Sequence, residues 1–446
     1  MRENSMTTGN VAKQIFIFTL PIMAGNFLQQ LYSTVDGIVV GQFVGEEALA
    51  AVGTCSPLVI LFLALAIGMS VGSGIVVAQY FGAGRNEDLR KAASTSIILL
   101  GGIGLVFSII GALVAEPILE YVLAVPAEEL PYATLYMRIY CAGLLFQFVY
   151  NIVASILRAL GDSRATLYFL CISAGLNIVL DLVFVMGLRL GIPGAAWATV
   201  ISQIASSAAA LIYMSAKYEN LRFGRAHGGL VFDGEMAGTV IRLGIPSTLQ
   251  QACVSLGHIG LQRLVNSFGV EFMAGYTAGT RIESYLVIPA LGFQAGVSTF
   301  TGQNVGAGNW ERVKEGTKKT CIMSLLITCV LSAVAIIFST PLISFFGVEG
   351  ESLAMGIGYI SLAAWFFPIF GIYQGFVGTL QGAGDVMFTA SATLTSLAVR
   401  VISSYMLAPG TGYRSLCWSM LCGWGYVLTL SFVRYIRGKW KEKAVA

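Results

Sequence analysis

Apolar runs of about twenty residues, parted by short polar breaks, follow one another along the whole of this chain. About twenty residues of helix are needed to cross the ~30 Å hydrocarbon core of a bilayer. In that core every backbone amide and carbonyl must be satisfied internally, which leaves only helices and closed barrels. A barrel would read as alternating segments of about ten residues, and these runs are longer and continuous. Only 11% of the 446 residues are charged while 56% are hydrophobic; a soluble domain carries about 25% charged residues. The sequence therefore predicts an all-α integral membrane protein. Twelve spans are expected, centred near Asn26, Ala64, Gly104, Phe148, Leu176, Ile204, Val254, Ile288, Ile327, Phe367, Leu397 and Tyr426.

Most of the 26 Lys and Arg residues fall at the two ends and in the even-numbered connections, as with Arg85, Arg90, Arg158, Lys217, Arg312, Lys318 and Arg434. By the positive-inside rule both termini are expected on the cytoplasmic side, which requires an even number of spans. The polar start MRENSMTTGNVAKQ runs into the first span without a small-residue cleavage site, which argues against a removed signal peptide. A formal charge of +3 gives no reason to expect a nucleic-acid partner. The eight cysteines form no CxxC pair and the histidines are His227 and His258 alone, so neither a metal site nor a cofactor is expected.

The longest polar connection runs from about Lys217 to Arg242 and divides the chain into two halves that repeat each other. Pro21 ends VAKQIFIFTLP as Pro246 ends MAGTVIRLGIP, a shift of 225 residues. Gly68, Gly72, Gln79 and Gly82-Ala83-Gly84 match Gly292, Gly296, Gln303 and Gly306-Ala307-Gly308 at a shift of 224, and Gly161-Asp162 matches Gly384-Asp385 at 223. The expected organisation is a six-helix lobe over 1–220, a cytoplasmic linker over 221–238 and a second six-helix lobe over 239–446. With six spans each, the repeats are parallel, related by an axis along the membrane normal. Rocking of one bundle against the other is the motion such an architecture implies. The Gly-Ala-Gly segments read as helix-ending turns, since glycine supplies the left-handed C-terminal conformation. A phosphate cradle would instead need a strand before the glycines and a GK[ST] sequence.

Ionisable residues within spans are costly and usually mark an ion or substrate path. In the first span, Leu20–Gly45, Asp36 shares a helical stripe with Tyr32 and Gln29, because residues three, four and seven apart lie on one face. Pro21 precedes them as a candidate hinge, since proline removes a backbone hydrogen bond. In the fifth span Asn177 and Asp181 share a face, and in the eighth lies Glu283, with Arg281 two residues earlier on another face. Arg263 or Arg400 is a candidate ion-pair partner for Glu283. His258, mid-span, is expected as a neutral hydrogen-bonded imidazole although it could titrate near neutrality. Two carboxylates facing each other would hold a proton or a cation, with Asp36 and Asp181 as the pair that could take Na+.

These motifs together resemble the multidrug and toxic compound extrusion (MATE) family. The resemblance rests on the proline and aspartate of the first span, the doubled Q-x-x-G-A-G, the RALGDS segment, NIVLDLVFVMGLRLGIPGAAWAT over Asn177–Thr199 and RIESYLVIPALGF over Arg281–Phe293. It implies a twelve-helix secondary antiporter that exports organic, often cationic, compounds in exchange for H+ or Na+. It implies two six-helix lobes in a bacterial cytoplasmic membrane, with small organic substrates and the lipid bilayer as partners. Asp36, Asn177 and Asp181 match the family's N-lobe coupling residues, and Thr199 matches a neighbouring polar position. The seventh and tenth spans lack the acidic ligands found in one branch of the family. A flippase for lipid-linked saccharides is the competing transporter reading, and an intramembrane enzyme, without HExxH or a Gly-Ser nucleophile, the competing reading of another class. No segment reads as an oligomerisation domain.

Overall fold

The structure is a computed structural model that describes residues 5–43, 46–222 and 229–445; of 32–43, 46–52, 255, 256, 258 and 259 it describes the backbone alone. Every regular element among the described residues is helical. By internal packing the chain forms two compact units, one of Met1–Ser5 with Ala24–Thr248 and one of Met6–Met23 with Leu249–Ala446. The division passes through the first and seventh spans and leaves the described linker residues, 221, 222 and 229–238, within unit 1. In both spans it falls two residues after a proline, Pro21 and Pro246.

Unit 1 contains the later part of α1 (Val11–Phe43), then α2 (Glu46–Ala83), α3 (Asn86–Pro117), α4 (Leu130–Ala159), α5 (Ser163–Asp181), α6 (Ile192–Lys217) and the first part of α7 (Gly234–Asn266). Short π turns, Ile118–Val122 and Leu182–Gly187, extend α3 and α5. Its core includes Phe148, Leu144, Met137 and Leu119, all essentially inaccessible. Helix α2 meets the start of α7 backbone to backbone. A Cβ on Gly72 would lie 2.6 Å from Gly244 N and 2.8 Å from Val240 O, and one on Gly68 would strike the Thr248 backbone. Glycines four apart permit such an approach between membrane helices.

Unit 2 contains the rest of α7, then α8 (Val270–Leu286), α9 (Ile288–Gly306), α10 (Trp310–Ile337), α11 (Ser339–Ser344), α12 (Gly350–Ala364), α13 (Phe367–Gly382), α14 (Val386–Thr411) and α15 (Ser415–Ile436), with the first part of α1. Its core is built on Phe272, Tyr276, Tyr359, Phe367 and Trp424. Here α9 packs against the start of α1 as α2 packs against α7: Gly292 faces Met23 and Gly296 faces Thr19. The start of the chain is strapped down in the same unit. Met6 N donates to Gln303 Oε1 at 2.8 Å, and the Arg312 guanidinium donates to Met6 O and to Gly9 O.

Two predicted spans are interrupted. The eighth breaks at Val287, between α8 and α9, and the tenth at Trp365–Phe366, with a bend of 44° between α12 and α13. Pro289 and Pro368 stand in the first turn of the helix after each break, where proline's missing N–H is tolerated and the preceding helix cannot run on. Eight of the described helical segments are long and apolar enough to cross a membrane unaided, and nine with the bent pair joined. That count takes Val386–Ile436 as one segment; with α14 and α15 counted apart, α7 added and each interrupted pair taken as a single span, the described helices make twelve.

The glycine turns are repeated in detail. Gly84, Gly308, Gly161 and Gly384 all adopt left-handed φ, between 71° and 94°. After each, an amide reaches back five residues, as in Asn309 N to Asn304 O at 2.8 Å and Asp385 N to Leu380 O at 2.9 Å. This is the six-to-one closure of a glycine-capped helix end. The Gly-Ala-Gly segments therefore end helices.

Candidate functional site

In unit 1 the polar residues of α5 lie on its buried face. Asn177 and Asp181 are each 2% exposed, whereas Val179 between them is 55% exposed, as expected for residues four apart on a helix with one apolar face outward. Asp181 is the last residue of α5, and the helix widens into the π turn Leu182–Gly187 directly after it. Single π turns of this kind are frequent at functional sites.

Helix α6 completes the constellation. Asn177 Nδ2 donates to Thr199 Oγ1 at 3.4 Å, and Thr199 Oγ1 donates in turn to Ala195 O at 3.2 Å. The approach of α6 is set by small residues. A side chain on Gly194 would meet Phe184 and Leu190 at 3.1–3.3 Å, and one on Gly143 of α4 would meet Val200 at 2.9 Å. Helix α4 adds a second polar pair, with the Tyr140 hydroxyl on Gln147 Oε1 at 3.1 Å and Asn151 Nδ2 on Gln147 O at 2.8 Å. Gln147 and Asn151 were not singled out from the sequence. A polar pair four apart in an apolar run is the signal that marks them.

Of the other sequence-derived candidates, Asp36 and Tyr32 lie in α1 and His258 in α7, with side chains outside the described residues. Gln29 is exposed, and Pro21 lies within an uninterrupted α1. In unit 2, Glu283 of α8 accepts a hydrogen bond from the Tyr359 hydroxyl of α12 at 2.9 Å. Arg400 of α14 acts on Glu283 electrostatically, but the direct contact is the phenol. Arg281 and Arg263 are exposed. No cluster of three or more potential metal ligands occurs among the described residues.

At the polar ends of the helices each unit carries a carboxylate clamp. Asp162, 6% exposed, caps α5 through Ala165 N at 3.3 Å and receives Lys217 Nζ at 2.7 Å, the Tyr213 hydroxyl at 2.9 Å and the Tyr218 hydroxyl at 3.2 Å. Its repeat partner Asp385 takes the Arg434 guanidinium in two-pronged fashion, at 2.7 and 3.2 Å. Burial opposes ionisation of Asp162, but the hydrogen bonds from Lys217 and Tyr213 and the Lys217 charge outweigh it, and its carboxyl stays below the ordinary carboxylate range. Such clamps fix helix ends and explain why the Gly-Asp pair recurs in both halves.

Apolar helices in two repeated units, with a carboxylate and an amide buried on one face, define a membrane transporter. The MatE family model matches residues 21–183 and 246–406. "Probable multidrug resistance protein YpnP" of Bacillus subtilis is 31% identical over 442 residues, 99% of this chain and 98% of that protein. "Multidrug export protein MepA" of Staphylococcus haemolyticus is 22% identical over 92% of this chain and 90% of its own length. Among solved structures, a multidrug resistance MATE family transporter of the MOP superfamily in an outward-facing conformation superimposes with a TM-score of 0.85 at 25% identity, over 98% of each chain. A MATE protein crystallised with MaD3S superimposes with a TM-score of 0.92 at 24% identity over the whole of both chains. The chain belongs to the MATE family and is a multi-pass membrane protein.

Proposed function

We propose that this protein is a secondary antiporter of a bacterial cytoplasmic membrane that exports organic, chiefly cationic, compounds in exchange for H+ or Na+. The observation that carries the reading is the buried face of α5, where Asp181 and Asn177 lie beside Thr199 of α6. A carboxylate enclosed among apolar helices needs a proton or a cation as its companion. Asp36 of α1 is the second carboxylate, with Tyr32 and Gln29 on its stripe. An arriving organic cation and the coupling ion would compete for the same negative charge, so that binding of one releases the other. The twelve spans would be worked by alternating access, with Pro21 as the point about which α1 repacks. The names of the relatives agree with drug export.

The test is ion-driven transport of ethidium in everted membrane vesicles, with a pH gradient and a Na+ gradient imposed separately. One of the two gradients is expected to drive transport, and Asp181→Asn to abolish that response at unchanged membrane abundance. Full gradient-driven transport by Asp181→Asn would remove Asp181 from the coupling site.

A further inference from the structure

A groove of about 650 Å³ lies wholly within unit 2, between α10, α13 and α15. One wall is the face of α10 that runs from Lys314 through Lys318 and Ile322 to Leu325, and Phe376 and Phe432 stand across from it. From Lys314 to Leu325 is eleven residues, which at 1.5 Å per residue is ~16 Å. That is about half of a ~30 Å hydrocarbon core, the depth of a single leaflet.

The charge is gathered at one end. Lys314 and Lys318 are exposed at the start of α10, and Lys314 contacts Glu311 at 2.6 Å. Lys441 lies over the Trp440 ring at 6.0 Å, and that ring stacks at 5.7 Å on Tyr435, which lines the groove. Of the other nearby carboxylates, Glu315 is held by Lys319 at 2.6 Å and Glu442 acts on Arg434. The remainder of the wall from Ile322 onward carries no charge. Stacked aromatic residues at the boundary between a charged end and an apolar shaft are the usual occupants of a membrane interface, and the basic end is the cytoplasmic one.

The repeat shows that this face is treated differently in the two units. At a shift of 224 residues Lys314 and Lys318 correspond to Arg90 and Ser94 of α3. In unit 1 those positions are covered by the linker: Arg90 Nη2 donates to Gly229 O at 2.9 Å, and Val231 N donates to Ser94 Oγ at 2.7 Å. In unit 2 the strap Met6–Gly9 is held by Gln303, Asn304 and Arg312 instead, and the hydrogen bonds of that strap leave Lys314 and Lys318 out. Among the described residues, a surface covered by peptide in one repeat is left open, and is more basic, in the other.

We propose that the groove holds an anionic glycerophospholipid of the cytoplasmic leaflet, with its phosphate between Lys314 and Lys318 and an acyl chain laid along Ile322, Leu325, Phe376 and Phe432. Basic residues at the cytoplasmic end of a cleft between membrane helices suit such headgroups. An organic cation would meet like charge at the groove's polar end, which sets this site apart from the α5–α6 constellation.

The test uses the purified full-length protein in detergent with dioleoylphosphatidylglycerol or dioleoylphosphatidylcholine, read by native mass spectrometry and thermal unfolding. Phosphatidylglycerol is expected to stay bound and to raise Tm, and phosphatidylcholine to do neither. Lys314→Gln with Lys318→Gln should weaken phosphatidylglycerol retention by roughly thirtyfold, given the usual contribution of each basic residue at an anionic surface. Lys314→Arg with Lys318→Arg should restore it, and Leu325→Trp, which fills the shaft, should abolish it with both lysines in place. Equal retention of the two lipids, or undiminished phosphatidylglycerol retention by either the double glutamine variant or Leu325→Trp, would overturn the proposal.

Discussion

Asp162→Ala is expected to lower the stability of the protein by about 3 kcal/mol. The substitution removes the α5 cap at Ala165 N, worth ~1 kcal/mol, and the charge-assisted bonds from the Tyr213 and Tyr218 hydroxyls, for which ~2 kcal/mol together is a conservative figure. The Lys217 contact is short at 2.7 Å, but the Lys217 side chain is 42% exposed, so water replaces most of it and its share is ~0–1 kcal/mol. Lys217→Met should therefore cost much less than Asp162→Ala, and Asp162→Asn, which keeps the cap, should fall between them. Denaturant unfolding in mixed micelles, followed by tryptophan fluorescence, measures all three. The pH dependence is fixed by the same contacts. Because the folded carboxyl titrates below its unfolded value of about 3.9, the unfolded state binds more protons between the two values. Stability from this group is then complete above pH ~4 and is lost as pH falls through the folded pKa. The gap between wild type and Asp162→Ala should be flat from pH 7 to 5 and shrink in more acid solution. A gap below ~0.5 kcal/mol at pH 7, or equal losses for Asp162→Ala and Lys217→Met, would refute the account.

Gly72→Val should destabilise by ~1–3 kcal/mol or more, because its side chain meets the backbone of α7 at 2.6–2.9 Å and backbone cannot move aside cheaply; thermal unfolding of the purified variant reads this directly. Gly308→Ala has open space around it and should cost only the ~1 kcal/mol of its φ of +72°, so a larger loss by the same assay would point to a contact not accounted for. Glu283→Leu takes one hydrogen-bond partner from the Tyr359 hydroxyl and leaves it Tyr276, so it should cost ~1 kcal/mol, whereas Glu283→Gln can still accept that bond and should cost less. Equal losses for the two would show that the charge beside Arg400, and not the phenol, sets the energy.

Much of this architecture can be read without coordinates because lipid is a demanding solvent. Chain crossing a bilayer must be apolar and helical, so hydropathy finds the helices, and the Gly84 and Gly308 turns repeat because only glycine takes that φ without strain. Asn177, Asp181 and Thr199 were legible for a related reason: polar side chains in apolar runs stand out, and the spacing of the first two assigns their face. The surroundings of Glu283 were legible only in part, since Arg400 does act on it electrostatically. A charged neighbour, Arg263 or Arg400, was the natural candidate, yet the hydrogen bond comes from Tyr359, 76 residues away. A phenol in an aromatic-rich helix carries no periodic signature of its hydroxyl's destination. Hydropathy was equally silent on which neighbours the ends of α1 and α7 choose, since it reports how deep a residue lies and not what it touches. The glycine pairs Gly68/Gly72 and Gly292/Gly296 held that information, as marks of close backbone approach.

The exchange of helix ends also bears on how the chain is made. Residues Met6–Met23 leave the ribosome long before the rest of unit 2, in which they pack. Met6 bonds Gln303 across a sequence separation of 297, which at ~5–20 residues per second is a wait of roughly 15–60 s. Unit 1, for its part, stays incomplete until α7 has emerged as far as Thr248. The first half therefore cannot finish packing before the start of α7 has emerged, and a gene cut in the linker would yield two fragments that each lack a piece held by the other. Co-expression of fragments cut just after Met23 and just after Thr248 would separate these dependencies.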